Sequence, residues 1–400
     1  MKRIALVGLY SIPNMGDRIL CETSRYLLEQ SSSGIEIIEV DVCPRYKQDY
    51  SGLDYLKYRV SRKLKTVAEK RFEYTNSSSF RYHYEYFMWW LRLNRYYRKI
   101  LKNVDAIMFA GGGFLKFRTQ GLNYYVEQII KIAQKHRIPV MMNSVGIEGY
   151  SETDIRCQKL KRIINSECVK IITTRDDAKT LRGNYIVNPA VETARVGDPA
   201  LWTPECYGVS KGEPTVELGI NVIRGKVFTD YGNTCSYEEL KEFYQRLIKA
   251  ATQRNISWRL FSNGMKGDQA FGREILYEMH LPVAGNLLPA PKSSEGLLAM
   301  ICSFGGIFGA RLHACITAYS LDVPVVAFIW NEKIRMFADI IGKPGSFFEE
   351  REMDVEKVLD RFVTETAQHI PYEVKIREQL KMLTKSYVEK FLFQVTTNVR

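Results

Sequence analysis

The sequence predicts an α/β protein in which doubly wound parallel sheets carry helices on both faces. Short apolar runs alternate with helical patterns along most of the 400 residues, an alternation typical of parallel sheets. In the segment 305–328, an apolar run, an amphipathic helix and a second apolar run follow one another as a βαβ unit. The 46% hydrophobic and 26% charged residues are ordinary for a globular protein with a large core.

The first series of patterns occupies the N-terminal half of the chain. Its predicted strands and helices are Ile4–Gly8, Asp17–Glu29, Ile35–Val40, Ala106–Ala110, Leu122–His136, Val140–Val145, Asp154–Asn165 and Val169–Thr173. Two basic residues precede the first apolar run, as in a signal peptide, but the run is short and leads into a loop instead of a small-residue cleavage site. We therefore expect this run to be a buried strand.

A polar stretch with two prolines and two glycines, Thr203–Pro214, is predicted to link a second series to the first. The second series contains Val216–Val222, Tyr237–Gln253, Trp258–Phe261, the 305–328 unit, Asp354–Thr364 and Val374–Phe393. We therefore expect two Rossmann-like domains, residues 1–205 and 215–400, that face a cleft. An insertion at 45–100 interrupts the first domain.

Composition excludes several classes of protein. No apolar run approaches the roughly 18–20 residues of a membrane span, which argues against an integral membrane protein. The eight cysteines are scattered without a CxxC pair, which indicates neither a zinc site nor a disulfide framework. We expect reduced cysteines and a cytoplasmic protein.

The insertion at 45–100 holds most of the positive charge of the chain. It contains fourteen Lys and Arg against five Asp and Glu, a net +9 of the total +12, and fifteen aromatics that include the run Tyr82–Trp90. Three interpretations stay open: nucleic-acid binding, docking on an anionic membrane at its cytoplasmic face, or a helical hairpin whose aromatics are core. No nucleic-acid-binding module is recognisable elsewhere, so we expect no nucleic-acid partner.

Arg311 and His313 stand at the end of the first strand in the 305–328 unit, where the following helix begins. Open α/β sheets bind ligands at the carboxyl ends of their strands. A guanidinium beside a helix N-terminus suits phosphate or carboxylate, and an imidazole transfers protons near neutral pH. The alternative is a surface arginine beside a histidine whose ring nitrogens simply have hydrogen-bond partners within the fold, at the start of a helix.

Two glycine-containing turns follow strands of the first half. Asn14 and Asp17 flank Gly16, which permits a tight turn; they serve either as helix caps or as part of a site. The second turn, Gly111 with Gly112 and Gly113, suits an anion-binding nest of backbone N–H groups, but would equally allow close backbone packing. The first loop is not a GxGxxG, which disfavours a dinucleotide cofactor.

Four further polar residues lie in motifs at predicted strand ends or before the linker. Asn143 and Arg224 belong to motifs that end strands, Arg175 follows a strand, and Asp198 precedes the linker. Each is a weak signal alone, and Arg175 beside an aspartate is often just a surface ion pair and a cap. Together with Arg311 they give three arginines near glycine-rich turns on one side of the two sheets. This set suits an anionic ligand.

Six motifs, taken in order, resemble the polysaccharide pyruvyl transferase family, enzymes with a fold like that of GT-B glycosyltransferases. The motifs are NMGD at 14–17, AGGGFL at 110–115, NSVGI at 143–147, TRDD at 174–177, GDPAL at 197–201, and ARLHACITAYSLDVPVVAF at 310–328, followed by Lys333. The resemblance covers nearly all of the chain outside the insertion. The chain departs from the family at one point. Many relatives carry a small hydroxyl residue soon after the Arg-Asp pair, whereas here Ala178-Lys179-Thr180 follows the TRDD motif.

The resemblance implies transfer of a pyruvyl group from phosphoenolpyruvate to two hydroxyls of a sugar, giving a cyclic ketal. The sugar would belong to a cell-surface polysaccharide or its lipid-linked precursor. Arg311 and His313 would belong to the donor site. Arg175 and Arg224 resemble two further arginines of the family, and which of them grips phosphoenolpyruvate stays open.

The chemistry calls for cations that bind the donor and for an acid that protonates its methylene carbon; it requires no metal or cofactor. His313 suits the acid, although it would alternatively only hydrogen-bond the phosphate. Two rival functions remain: a nucleotide-sugar-dependent glycosyltransferase of polysaccharide assembly on the same scaffold, and a catalytically silent envelope-assembly or sugar-binding protein.

Overall fold

The computed structural model describes residues 1–42, 44, 79–117, 122–210, 217–225, 227–230, 234–349, 354–367 and 374–397. The chain forms two compact units. The first unit comprises Met1–Ser11, Ser24–Gly197 and Leu383–Arg400, and the second comprises Ile12–Thr23 and Asp198–Met382. This division differs from the predicted one: the main boundary falls at 197/198, Ile12–Thr23 belongs to the second unit, and Leu383–Arg400 belongs to the first. Part of the predicted linker, Thr203–Tyr207, is a helix.

The first unit contains a seven-stranded parallel sheet. Its strands are β1 Lys2–Gly8, β2 Ile35–Asp41, β3 Ala106–Phe109, β4 Gly112–Lys116, β5 Val140–Glu148, β6 Val169–Thr174 and β7 Glu192–Arg195. They run in the order β2-β1-β3-β5-β6-β7, with β4 paired to β5. The order reverses between β1 and β3, as in a doubly wound sheet, and the predicted α/β class is confirmed.

Helices flank this sheet because their apolar faces need burial. They are α1 Met15–Ser31, α2 Ser79–Leu101, α3 Leu122–His136, α4 Ile155–Ile164 and the short α5 Ala178–Thr180, which continues into a π turn at Leu181–Tyr185. Helix α1 begins among the residues of the second unit and ends among those of the first.

The second unit contains a five-stranded parallel sheet. Its strands are β8 Leu218–Asn221, β9 Trp258–Phe261, β10 Gly306–Gly309, β11 Val325–Ile329 and β12 Phe347–Glu349, in the order β12-β11-β10-β8-β9. The order reverses between β8 and β10. This switch point is where doubly wound sheets bind ligands, beyond the carboxyl ends of the strands.

The second unit has nine helices among the described residues, besides the start of α1. They are α6 Thr203–Tyr207, α7 Val227–Asp230, α8 Tyr237–Gln253, α9 Lys266–Glu278, α10 Ser294–Cys302, α11 Leu312–Ser320, α12 Glu332–Ile340, α13 Val355–Ala367 and α14 Val374–Thr397, which ends in the first unit. Single 3₁₀ turns occupy Pro199–Trp202 and Pro344–Ser346. A capping box of Ser236 and Glu239 fixes the start of α8.

Residues 45–78 of the basic insertion lie outside the described part of the chain, and the remainder, 79–100, forms α2 apart from its last residue. This helix packs on α3 through aromatic rings: Tyr82 lies 5.4 Å from Tyr124 and Trp89 lies 4.8 Å from Tyr125, between ring centroids. Tyr82 is buried and donates a hydrogen bond to Glu127. Of the three interpretations of the insertion, membrane docking therefore does not apply to Tyr82, which is a core residue.

Two further properties concern the described residues alone. None of their helices combines the length and the apolar character needed to cross a bilayer. Their seven cysteines are all free thiols.

Candidate active site

His313 lies in the first turn of α11 between two carboxylates of the second unit. Its Nδ1 is 3.5 Å from Oδ1 of Asp17, and its Nε2 is 3.9 Å from Oδ2 of Asp198. Both distances are longer than those of ordinary direct hydrogen bonds. The imidazole is 8% exposed. Three residues that stand far apart in the sequence thus form one cluster of an imidazole and two carboxylates.

The start of α1 approaches His313 so closely that only a glycine fits there. A Cβ added to Gly16 would lie 2.4 Å from the Cβ of His313, a separation that real Cβ atoms essentially never show. The φ angle of Gly16 is not positive. Gly16 lies in the turn that the Asp17 amide closes onto the carbonyl oxygen of Asn14, at 3.1 Å, and the absence of a side chain there lets two helix starts meet.

Backbone and side-chain hydrogen bonds hold this helix start in place. The amide of Met15 donates to the carbonyl oxygen of Asn263, at 2.8 Å. Asn14 caps α1 by accepting from the amide of Gly16, and its Nδ2 donates to Oδ2 of Asp17, at 2.8 Å. The predicted capping by Asn14 is confirmed. The other oxygen of the Asp17 carboxylate, Oδ1, faces His313.

Asp198 is fixed by its position before the 3₁₀ turn at Pro199–Trp202, which packs on α11. Its Oδ1 accepts the amide hydrogen of Ala200 at 2.8 Å, while Oδ2 is the oxygen near His313. One carboxylate therefore both caps a turn and faces the imidazole.

Arg311 makes a two-pronged ion pair inside the second unit. Its Nε donates to Oδ2 of Asp268 at 2.5 Å, and its Nη2 donates to Oδ1 at 2.7 Å. Asp268 is fully buried, and its Oδ1 also accepts the amide hydrogen of Arg224 at 3.0 Å. The two arginines that sequence motifs indicate in this half are thus joined through one carboxylate that those motifs did not indicate.

Asn221 ties the switch point of the second sheet together. It is the last residue of β8, and its Oδ1 accepts the amide hydrogen of Arg311 at 3.0 Å. Its Nδ2 donates to Oδ1 of Asn263 at 3.0 Å. Since the carbonyl oxygen of Asn263 also holds the start of α1, the Arg311 backbone and the Asp17 region share one hydrogen-bonded support.

The glycine-rich turn lies at the switch point of the first sheet. Gly111 and Gly112 have φ angles of 90° and 93°, which residues with a side chain rarely adopt. The chain then enters β4, so Gly112 and Gly113 are strand residues beside β5 and do not open a helix. Anion binding by their amides stays a prediction.

Asn143 and Arg175 belong to two neighbouring strands of the first unit: Asn143 lies within β5, and Arg175 directly follows β6. Both are buried, and Asn143 accepts a hydrogen bond from Thr173, at 3.2 Å. Ser144 has a φ of 48°, an uncommon angle for a residue with a side chain. Local strain of this kind clusters at functional sites.

The aspartates after Arg175 have separate tasks. Asp176 accepts the amide hydrogen of Ile147 at 2.7 Å. Asp177 caps α5, and hydrogen bonds from the hydroxyl and amide of Thr180 and from the amide of Lys179 hold the pKa of its carboxyl below the usual range. The cap in the alternative interpretation of this motif is therefore present, but Arg175 is buried and is not the surface residue which that interpretation expected.

Two residues remain near the 305–328 unit. Lys333 lies in the first turn of α12, directly after β11. Cys315 follows His313 on α11, and burial raises the pKa of its thiol to about 12, so the thiol stays protonated at neutral pH. Among the described residues, no group of three or more His, Cys, Asp or Glu could hold a metal ion.

Sequence comparison finds one family for this chain. Residues 14–332 match the family model described as polysaccharide pyruvyl transferase. No curated protein matches the chain in sequence.

Solved structures resemble the chain in fold at low sequence identity. A UDP-GlcNAc 2-epimerase from Neisseria meningitidis bound to UDP-GlcNAc has a TM-score of 0.54 and 10% identity, and all of both chains is covered. A UDP-forming α,α-trehalose-phosphate synthase from Burkholderia vietnamiensis has a TM-score of 0.55 and 14% identity, and the match covers 98% of this chain and 99% of that one. A UDP-GlcNAc 2-epimerase from Methanocaldococcus jannaschii has a TM-score of 0.53 and 12% identity, and the match covers 90% of this chain and 91% of that one. These similarities concern the fold, which is of the GT-B type.

Proposed function

Because the chain belongs to the polysaccharide pyruvyl transferase family, we propose that it transfers the pyruvyl group of phosphoenolpyruvate to two hydroxyls of one sugar. The products are a cyclic ketal and inorganic phosphate. The acceptor is a sugar of a cell-surface polysaccharide or of its lipid-linked precursor. The observation that carries the proposal is the placement of His313 between Asp17 and Asp198, beside the Arg311 motif.

The proton balance of the reaction suits this cluster. The methylene carbon of phosphoenolpyruvate gains one proton while a sugar hydroxyl oxygen bonds to C2; a second hydroxyl then displaces phosphate from C2. The two hydroxyls together lose two protons, of which one replaces that given to carbon and the other leaves with phosphate. His313 is the acid that protonates carbon, and Asp17 or Asp198 accepts a hydroxyl proton.

Donor binding falls to the arginines. Phosphoenolpyruvate carries a carboxylate and a phosphate, which planar guanidinium groups bind in pairs of hydrogen bonds. We assign Arg311 and Arg224 to this task, and keep Arg175 and the amides of Gly111–Gly113 as the further donor-binding candidates that the family motifs indicate. The start of α11 adds a favourable dipole for the departing phosphate.

The direct test is a transfer assay. The purified protein is incubated with phosphoenolpyruvate and a panel of lipid-linked and synthetic glycosides, and mass spectrometry detects a product heavier by one pyruvyl ketal. Phosphate release in step with that product supports the proposal. Transfer of a sugar from a nucleotide sugar would instead establish the rival glycosyltransferase.

Phosphoenolpyruvate should raise the melting temperature of the protein in metal-free buffer. A ligand at about 100 times its Kd adds about 2.7 kcal/mol to the free energy of unfolding, which is a shift of a few degrees. Arg175→Ala and Arg224→Ala should each reduce that shift, since each removes a charge-assisted contact of about 1.5–3 kcal/mol. Differential scanning fluorimetry measures each variant against its own ligand-free melting temperature.

The matched controls for this measurement are Arg162→Ala and Arg273→Ala, at exposed arginines of the first and second units. Both should keep the full shift. Stabilisation by a nucleoside diphosphate in place of phosphoenolpyruvate would contradict the donor assignment, and stabilisation by neither ligand would favour a catalytically silent protein.

We also propose that the enzyme works at an anionic membrane face, where a lipid-linked acceptor is available. The exposed side of α2 supports this: Phe87, Trp90 and Leu91 are exposed at 52%, 37% and 46%. A basic group follows one to three turns further along. It consists of Arg95, Arg98 and Lys99 of α2 and Lys102 directly after the helix, all exposed. The only acid of α2, Glu85, accepts a hydrogen bond from Tyr124. Such a face combines interfacial aromatics with attraction to anionic headgroups.

Vesicle flotation tests this location. The protein should float with anionic vesicles at low salt and less so as salt rises. Reversal of Arg95, Arg98, Lys99 and Lys102 to Glu should weaken flotation at least tenfold, since each basic residue near the surface contributes up to ~1 kcal/mol. Reversal of Lys135, Lys170, Lys249 and Arg273 changes the net charge equally and is the control. Equal losses in both variants, or no flotation at low salt, would overturn the proposed location.

A further inference from the structure

Asp268 is a buried carboxylate in the first turn of α9 that contacts Arg311 and Arg224, the two donor-site arginines assigned in the second unit. Its two oxygens accept Nε and Nη2 of Arg311, at 2.5 and 2.7 Å, and Oδ1 also accepts the amide hydrogen of Arg224, at 3.0 Å. Asp268 is 0% exposed, so a substrate cannot reach it directly. Any effect of this residue on the reaction must pass through the groups that it holds.

The contacts leave one edge of the Arg311 guanidinium for another ligand. A guanidinium has five N–H donors in a plane. Asp268 takes one at Nε and one at Nη2, and three remain: the second donor of Nη2 and both donors of Nη1. The Arg311 side chain is 17% exposed. The second donor of Nη2 and one donor of Nη1 form an end-on fork. The ion pair on the other edge of the guanidinium fixes the direction of this fork.

We propose that Asp268 is a positioning residue of the donor site. It holds the Arg311 guanidinium and the backbone of Arg224 in the orientation that receives the carboxylate or phosphate of the donor. This inference rests on the proposed function. The carboxylate offsets one positive charge, so its benefit lies in orientation before the substrate binds and not in attraction.

Asp268→Asn keeps the shape of the side chain and removes its charge. We expect kcat/KM for phosphoenolpyruvate to fall by ~10²-fold, as for a binding group misplaced by about 1 Å, with the KM for the acceptor unchanged. The control is Glu278→Gln, a carboxylate-to-amide change in the same helix at an ion pair with Lys241. It should retain wild-type kcat/KM.

A double-mutant cycle separates positioning from general stability. Because Asp268 is proposed to act through Arg311, Asp268→Asn should cost less than threefold in kcat/KM when added to Arg311→Gln. The double variant replaces the ion pair by two amides and leaves no buried charge. Its kcat/KM can therefore be compared with that of Arg311→Gln even where Asp268→Asn alone fails to fold. Effects of the two changes that multiply would overturn the inference, as would wild-type kcat/KM in Asp268→Asn. A wild-type protein without phosphoenolpyruvate turnover would overturn the proposed function and this inference together.

Discussion

His313→Ala is expected to abolish pyruvyl transfer, with a fall of at least ~10²-fold in kcat, because it removes the acid that protonates the methylene carbon. The fold should survive. The imidazole is surrounded by side chains of Asp17 and Asp198 and by the start of α1, and alanine keeps the Cβ that packs against Gly16. Product formation is measured by mass spectrometry, and circular dichroism reports on the fold.

Two further variants make this result specific. His313→Gln retains a hydrogen-bond donor but has no titrating group near neutral pH. It should be as inactive as His313→Ala if the imidazole transfers a proton, and substantially active if the imidazole only hydrogen-bonds the phosphate. His136→Ala, at an exposed histidine of α3, should have no effect. Retention of more than about a third of wild-type activity in His313→Ala would end the proton-donor role.

Gly16→Ala is expected to lower kcat/KM by about 10- to 100-fold. The added methyl group would lie 2.4 Å from the Cβ of His313, and a rotation of the imidazole cannot relieve this contact because a Cβ is fixed to the backbone. The two helix starts must therefore separate, which displaces Asp17 relative to the imidazole. Displacements of about 1 Å at a reacting group cost rates of this size.

Intrinsic helix propensity alone would not predict this loss of kcat/KM. Alanine favours a helix by about 1 kcal/mol over glycine, so without the close contact the variant would be at least as stable as the wild type. Gly183→Ala is the control, since a Cβ there meets nothing within 4 Å. Steady-state kinetics and melting temperatures are compared for both variants. A Gly16→Ala enzyme with kcat/KM within twofold of wild type would show that the close contact has no part in the reaction.

Periodicity predicted two amphipathic helices best. The predicted ranges Leu122–His136 and Tyr237–Gln253 match α3 and α8 to the residue, because an amphipathic pattern and clear end signals coincide there. Strand β4 was missed, since Gly112 and Gly113 disfavour a strand by propensity. Strand β7 was also missed: it is a partly exposed edge strand without a buried apolar run.

The candidate site was predictable only where its residues follow strands. Arg311 was recognisable because an apolar run ends just before it. Asp268 carries no such signal, since an acidic residue in the first turn of a helix is ordinarily explained by the helix dipole. Its role, and that of Asn263, arises from contacts with residues that are distant in sequence. Tertiary approach of this kind has no local pattern.

The allocation of residues 12–23 to the second unit bears on recombination between related genes. Asn14, Gly16 and Asp17 surround a histidine that is encoded about three hundred codons later, so the two units are not two consecutive stretches of the gene. A chimera joined at 197/198 would take its Asp17 from one parent and its His313 and Asp198 from the other. Only parents with the same helix start would then yield a matched imidazole–carboxylate cluster, and a fragment that begins at residue 198 would lack Asp17 altogether.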